Sequence, residues 1–89
     1  MPNHKSAMKR VRQNEKRRIR NRHIISTTRG CIKVVRSAIE QDDASAAKAA
    51  LPSAVNALNR AVTKGVIHRK QASRKISRLT IAVNRLSDD

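Results

Sequence analysis

Six carboxylates, Glu15, Glu40, Asp42, Asp43, Asp88 and Asp89, with three histidines and one cysteine, are the side chains through which this chain could run acid/base, metal or nucleophilic chemistry. Acid/base catalysis needs two such groups held within reach of one reacting atom. These carboxylates fall mostly at segment ends and form no recognisable pair. His4, His23 and His68 are widely separated and lack Cys or carboxylate neighbours at the spacing of a zinc site. Gly30 and Gly65 stand alone, so no glycine-rich loop is present to cradle a phosphate. The expectation is a protein that is not an enzyme and has no catalytic residue, no metal, no cofactor and no small-molecule substrate.

The remaining chemistry is cationic. Lys and Arg number 21 against 6 Asp and Glu, giving a net charge of +15 and a pI near 11.8. A compact chain so charged repels itself until a polyanion neutralises it. A solvated helix face normally mixes signs, yet the first 29 residues hold 10 basic side chains opposed by Glu15 alone. Many are arginine, whose planar fork suits bidentate contact with phosphate. Lys5, Lys9, Arg12, Lys16 and Arg20 follow one side of a helix; Arg18, Arg22, Arg29, Lys33 and Arg36 follow a second; Arg10 and Arg17 lie in the same run. A second basic segment holds Lys64, His68, Arg69, Lys70, Arg74, Lys75 and Arg78. Phe, Tyr and Trp are absent, which removes the platforms on which single-strand binders stack bases. The polyanion is therefore expected to be read by charge and shape, with Arg36 as a further cation on the second side.

The elements that position these cations are legible from apolar spacing. Charge divides the 89 residues into three parts: +11 over residues 1–36, −2 over 37–59 and +6 over 60–89. Between Asn3 and Gln41 there is one glycine and no proline, which permits a single helix of about 55 Å. Only its second half carries a core stripe, through Ile25, Thr28, Ile32, Val35 and Ile39. From Lys5 to Arg22, Met8, Val11 and Ile19 are too far apart to form one, and like charges at helical spacing repel. This half is expected to fray in free protein and to order against phosphate.

Gln41, Asp42 and Asp43 read as a turn with an N-cap. Ala47, Leu51, Ala54, Leu58 and Ala61 form the next stripe, with a kink or restarted helix expected at Pro52 and a C-terminal cap at Gly65. Ala72, Ile76, Leu79, Val83 and Leu86 form the third. The predicted fold is all-α: an antiparallel three-helix bundle over residues 24–40, 44–63 and 69–86, with a long basic N-terminal helix extending beyond it. It is expected to constitute one polyanion-binding domain over 1–89, with residues 1–22 as arm and 23–89 as bundle. Ile32, Val35, Ile39, Leu51, Val55, Leu58, Ile76, Leu79 and Val83 are expected at its centre, and Val34 off the stripe. Gly30 inside the first helix costs about 1 kcal/mol relative to Ala, which close approach by RNA or a helix would offset.

Cys31 has no internal partner, fits a reducing compartment and is expected to be a buried free thiol. Residues 1–22 hold no continuous apolar segment, unlike a signal peptide, and no apolar run reaches membrane-spanning length, so a cytoplasmic location is expected. Two other classes compete. A DNA-compacting protein would use the same phosphate electrostatics, but no recognition helix or minor-groove arm is evident. A membrane-active helix needs an apolar face, which Lys5 to Arg22 lacks.

The opening residues Asn3, Lys5, Ser6, Ala7, Lys9 and Arg10, followed by Glu15, Lys16 and Asn21, closely resemble the start of the bacterial small-subunit ribosomal protein S-twenty family. Lys64-Gly65-Val66-Ile67-His68, with Ala72, Ser73, Arg74, Lys75 and Leu79 behind it, resembles that family's Lys-Gly-Val/Leu-Ile-His signature. Arg29, Ile32, Lys33, Ala38, Ile39 and Glu40 also fit, so the resemblance is collinear over nearly the whole chain. Family members often differ by an aromatic near Cys31 and Arg36 and by a polar residue at Ile76. The resemblance implies a ribosome-bound three-helix protein that binds 16S ribosomal RNA directly, early in small-subunit assembly, with neighbouring ribosomal proteins as further partners. By position it makes Lys5, Lys9, Arg10, Lys16, Lys64, His68 and Arg74 the foremost RNA contacts, with Asn3 and Asn21 behind them.

Overall fold

The computed structural model describes the backbone of residues 4–87 and the side chains of 5–86; Asn3 lies outside the described residues. The architecture is three helices, α1 (His4–Glu40), α2 (Ala44–Thr63) and α3 (Arg69–Ser87). Their boundaries follow the expected segments, with α3 one residue longer. Each reversal has a local cause. After α1, Asp42 adopts a left-handed φ of 53°, and Asp43 N–H donates to the Ala38 carbonyl at 2.9 Å. Asp43 then caps α2, its carboxylate accepting from Ala46 N–H at 3.1 Å. After α2, Gly65 takes a φ of 74°, a conformation that costs glycine little. Val66 N–H reaches back to the Ala61 carbonyl at 2.9 Å, and Val66 and Ile67 tuck half-buried under the end of the bundle.

Connections this short force α2 antiparallel to both neighbours, and α3 runs parallel to α1. Contact is most extensive between α1 and α2, and least between α1 and α3. Both outer helices pack on α2 and leave an open seam between themselves.

The core is built on small residues. Val35, Ala47, Ala54, Leu58, Ala61, Ala72, Val83, Leu79, Ile32 and Ala38 are its buried apolar members. Five of these ten are alanine, which lets backbones approach closely. Ile39, Leu51, Val55 and Ile76, expected at the centre, are half-buried instead. Ile39, Leu51 and Ile76 pack against the buried core from its edges. Thr28, also buried, satisfies its hydroxyl by donating to the Ile24 carbonyl at 2.7 Å. Cys31 is half-buried rather than buried. A Cβ built on Gly30 would meet nothing within 4 Å, so no neighbouring helix explains that glycine.

α2 runs unbroken through Pro52, and no second helix restarts there. Pro52 and Lys48, whose carbonyl the missing N–H would have satisfied, are both exposed, so water can serve that carbonyl. Val34 is exposed, as its place off the stripe requires.

The described part of α1 before the bundle is also helical, and every side chain from Lys5 to Arg20 is exposed. At about 1.5 Å per residue, α2's 20 residues cover about 30 Å of α1. Laid back from Glu40, α2 therefore ends near Asn21, and the rest of α1 projects alone. The molecule measures 68 × 21 × 15 Å with a radius of gyration of 17.9 Å, against about 12 Å for a compact chain of this length. Its accessible surface of 7199 Å² exceeds the roughly 5200 Å² typical of a folded monomer of this mass. The excess is chiefly the two-sided surface of an unpaired helix.

Candidate nucleic-acid interface

Successive residues of a helix turn through about 100°, so a continuous α1 fixes the relative directions of its cations. Arg18, Arg22, Arg29, Lys33 and Arg36 fall within an arc of about 60° and form a row running from the arm along the bundle. Lys5, Lys9, Arg12, Lys16 and Arg20 form a second row roughly 130° away. Prolonged into the bundle, that row meets His23, Thr27, Gly30 and Val34, which add no Lys or Arg. The arm is thus basic on several sides, with Arg10 and Arg17 filling between the rows. Within the bundle, only the first row continues along α1.

That row borders the seam between α1 and α3. One groove there, about 600 Å³, is lined by Arg36, Ile39 and Glu40 of α1 and by Gln71, Arg74, Lys75, Arg78, Leu79 and Ala82 of α3. A second, about 490 Å³, adjoins it and is lined by Arg29, Ile32, Lys33, Arg36, Ser37, Glu40 and Lys75. Three α1 cations therefore face three α3 cations across the seam, with Glu40 their one acidic companion. The outer face of α2 differs: Ser45, Ala49, Pro52, Ser53, Asn56 and Asn59 are exposed there, with Lys48 and Arg60 as its cations.

The α2–α3 junction holds the remaining expected contacts. Lys64, His68, Arg69 and Lys70 are exposed at the end of α2 that lies near Asn21, where the arm leaves the bundle. His68 has a structural task not foreseen from sequence. Its Nδ1 accepts from Lys70 N–H at 3.1 Å, while its carbonyl accepts from Ala72 N–H at 3.1 Å, so it caps α3. An accepting Nδ1 places the neutral ring's proton on Nε2, where it remains available to a partner.

All eighteen expected contacts, from Lys5 through Arg78, are exposed. Arg29, Lys33, Arg74, Lys75 and Arg78 come together at the seam, the junction group gathers near the root of the arm, and the arm residues stay spread along their helix. Arg36, recognised on the second row but left out of the expected contacts, lines both grooves. Its membership of that row was the signal that could have included it. Among the described residues the one ion pair is Arg18 to Glu15, at 2.8 Å, so the other basic side chains described have no counter-ion among those residues. No group of three or more His, Cys, Asp or Glu among the described residues could hold a metal ion, and no described helix is long and apolar enough to cross a membrane.

A long basic helix, an open cationic seam and a capped Lys-Gly-Val-Ile-His junction form one arrangement. The family model for ribosomal protein S20 matches residues 2–84. The chain belongs to the ribosomal protein S20 family. Among its relatives, the small ribosomal subunit protein bS20 of Geotalea daltonii is 55% identical over 98% of this chain and 100% of its own length. That of Geotalea uraniireducens is 56% identical over 97% and 99%, and that of Maridesulfovibrio salexigens is 47% identical over 98% and 100%. The match to the S20 family spans both the arm and the bundle, so the basic surfaces fall within it together.

Proposed function

We propose that this chain is a structural, non-catalytic constituent of the small ribosomal subunit, cytoplasmic by virtue of residing there, and that it binds 16S ribosomal RNA directly. The observation that carries this reading is the row of cations on α1 that leaves the arm and becomes one wall of the α1–α3 seam, opposite Arg74, Lys75 and Arg78. Residues 1–22 act as an arm that enters the RNA, and 23–89 act as a bundle that sits on it. Lys5, Lys9, Arg10, Arg12, Lys16, Arg17, Arg18, Arg20 and Arg22 contact phosphate from the arm. Arg29 and Lys33, joined by Arg36, contact it from the seam with Arg74, Lys75 and Arg78, while Lys64, His68, Arg69 and Lys70 do so at the junction.

Without aromatic side chains, and with the major groove of A-form RNA too deep and narrow for side chains, affinity comes mainly from the backbone. Specificity comes from shape, since only a folded RNA offers backbones to arm and seam at once. Neutralising the RNA's charge while holding its helices apart at fixed geometry is how such a protein supports RNA folding and subunit assembly, next to neighbouring ribosomal proteins.

Binding to a folded 16S fragment, to the same fragment unfolded, and to duplex DNA of equal length tests this at matched salt. A clear preference for the folded RNA is expected. Equal affinity for duplex DNA would favour a DNA-compacting role and overturn the proposal.

A further inference from the structure

We infer that Glu40 is a specificity-determining residue of this interface, accepting a hydrogen bond from an RNA 2′-hydroxyl or guanine amino group seated in the α1–α3 seam. The inference rests on the RNA-binding reading above and deepens it.

Glu40 stands where general electrostatics disfavours an acid on three counts. It is the last residue of α1, at the negative end of the helix dipole, where a carboxylate is destabilising. It is exposed, and among the described residues its carboxylate takes part in no ion pair or hydrogen bond, the one ion pair there being Arg18 to Glu15. It also lines both grooves of the seam beside Arg36 and Lys75, so it repels the phosphates those cations attract. Glu40 does moderate the repulsion among the seam cations, but attraction to a polyanion does not explain an acid at the surface that meets it.

A hydrogen bond with an RNA donor does. Phosphate oxygens are acceptors only, whereas the wide, shallow minor groove of A-form RNA displays 2′-hydroxyls, and guanine adds its amino group there. A carboxylate is an acceptor-only group matched to such donors. Ile39, Leu79 and Ala82 line the same groove and give a sugar edge apolar contact, while Arg36, Arg74, Lys75 and Arg78 hold the flanking phosphates. The seam is thus built to take a minor-groove edge, with cations for its two backbones and one carboxylate beside them.

Glu40→Ala tests the idea because the competing effects have the opposite sign. Removing the charge raises the net charge by one and relieves the helix dipole, and alanine is the better helix former. A purely electrostatic seam would therefore bind folded 16S RNA as tightly or more tightly. The inference requires binding weakened roughly tenfold or more, measured well below a Tm that the loss of Glu40's attraction to the seam cations can lower only modestly. The two donor types are separated with RNA carrying 2′-deoxynucleotides or inosine in place of guanosine at single positions. One of these substitutions is expected to weaken wild-type binding at a particular nucleotide and to leave Glu40→Ala unaffected there. Unchanged or tighter binding by Glu40→Ala, or the same interference pattern for both proteins, would overturn the inference while the RNA-binding reading stood. Failure of the wild-type protein to bind the folded RNA would overturn both.

Discussion

Deleting residues 1–22 is expected to leave the bundle folded and to flatten the salt dependence of RNA binding. The segment contains nine basic side chains, Lys5, Lys9, Arg10, Arg12, Lys16, Arg17, Arg18, Arg20 and Arg22, and one acidic one, Glu15. None of its described side chains is buried, so the core loses nothing. If the five cations of one row and the two of the other meet phosphate, seven contacts vanish. Each contributes about 0.7 to 0.9 to the slope of log affinity against log salt, so the slope falls by roughly 5 to 6. Between 50 and 200 mM salt, a fourfold change, the full-length protein would then lose roughly a thousandfold more affinity than the truncated one. Filter binding of both proteins to a folded 16S fragment across that range measures the two slopes, and melting monitored by circular dichroism checks the bundle. An unchanged affinity and slope after truncation would refute the two-surface mechanism, and a collapsed Tm would refute the assignment of the arm as an independent extension.

Three further outcomes follow from the same geometry. Leu79→Ala is expected to cost roughly 2 to 5 kcal/mol, a large part of the stability of so small a domain, because Leu79 is a buried core residue; chemical denaturation reads this, and Val34→Ala serves as the near-neutral control. Amide hydrogen exchange is expected to be fast from Lys5 to Arg22 in free protein and slowed on RNA, since that stretch has no packed face; slow exchange without RNA would contradict it. Arg74→Glu, at an exposed seam position, is expected to weaken RNA binding and lower the salt slope by about 1 with Tm preserved.

The sequence carried the helix boundaries because apolar periodicity agreed with a second signal at each turn: Asp42 and Asp43 after α1, and a lone glycine at 65 after α2. It carried the arm for a complementary reason, since a helix with many cations and no apolar stripe has nowhere to pack. It misjudged Ile39, Leu51, Val55 and Ile76, because a periodic stripe shows which face turns inward but not how near the backbones come. Alanines at 38, 47, 54, 61 and 72 decide that distance, and their weight in the core emerges only when all three helices are placed together. Of the kink or restart expected at Pro52, the restart did not form, because the position is exposed and the orphaned carbonyl can reach water. The pairing of Arg29, Lys33 and Arg36 with Arg74, Lys75 and Arg78 was invisible for a similar reason: it depends on α1 and α3 lying parallel and splayed. The capping role of His68 depends on a ring orientation that no spacing specifies.

The central claim is that this chain resides in the small ribosomal subunit, bound to its RNA. Sedimentation of a cell lysate through a sucrose gradient at moderate salt, with the protein followed by immunoblot, tests it most directly. The protein is expected to travel with the small subunit and with ribosomes containing it, and to leave them as salt is raised. A protein found with the nucleoid and missing from the small-subunit fractions would contradict the account.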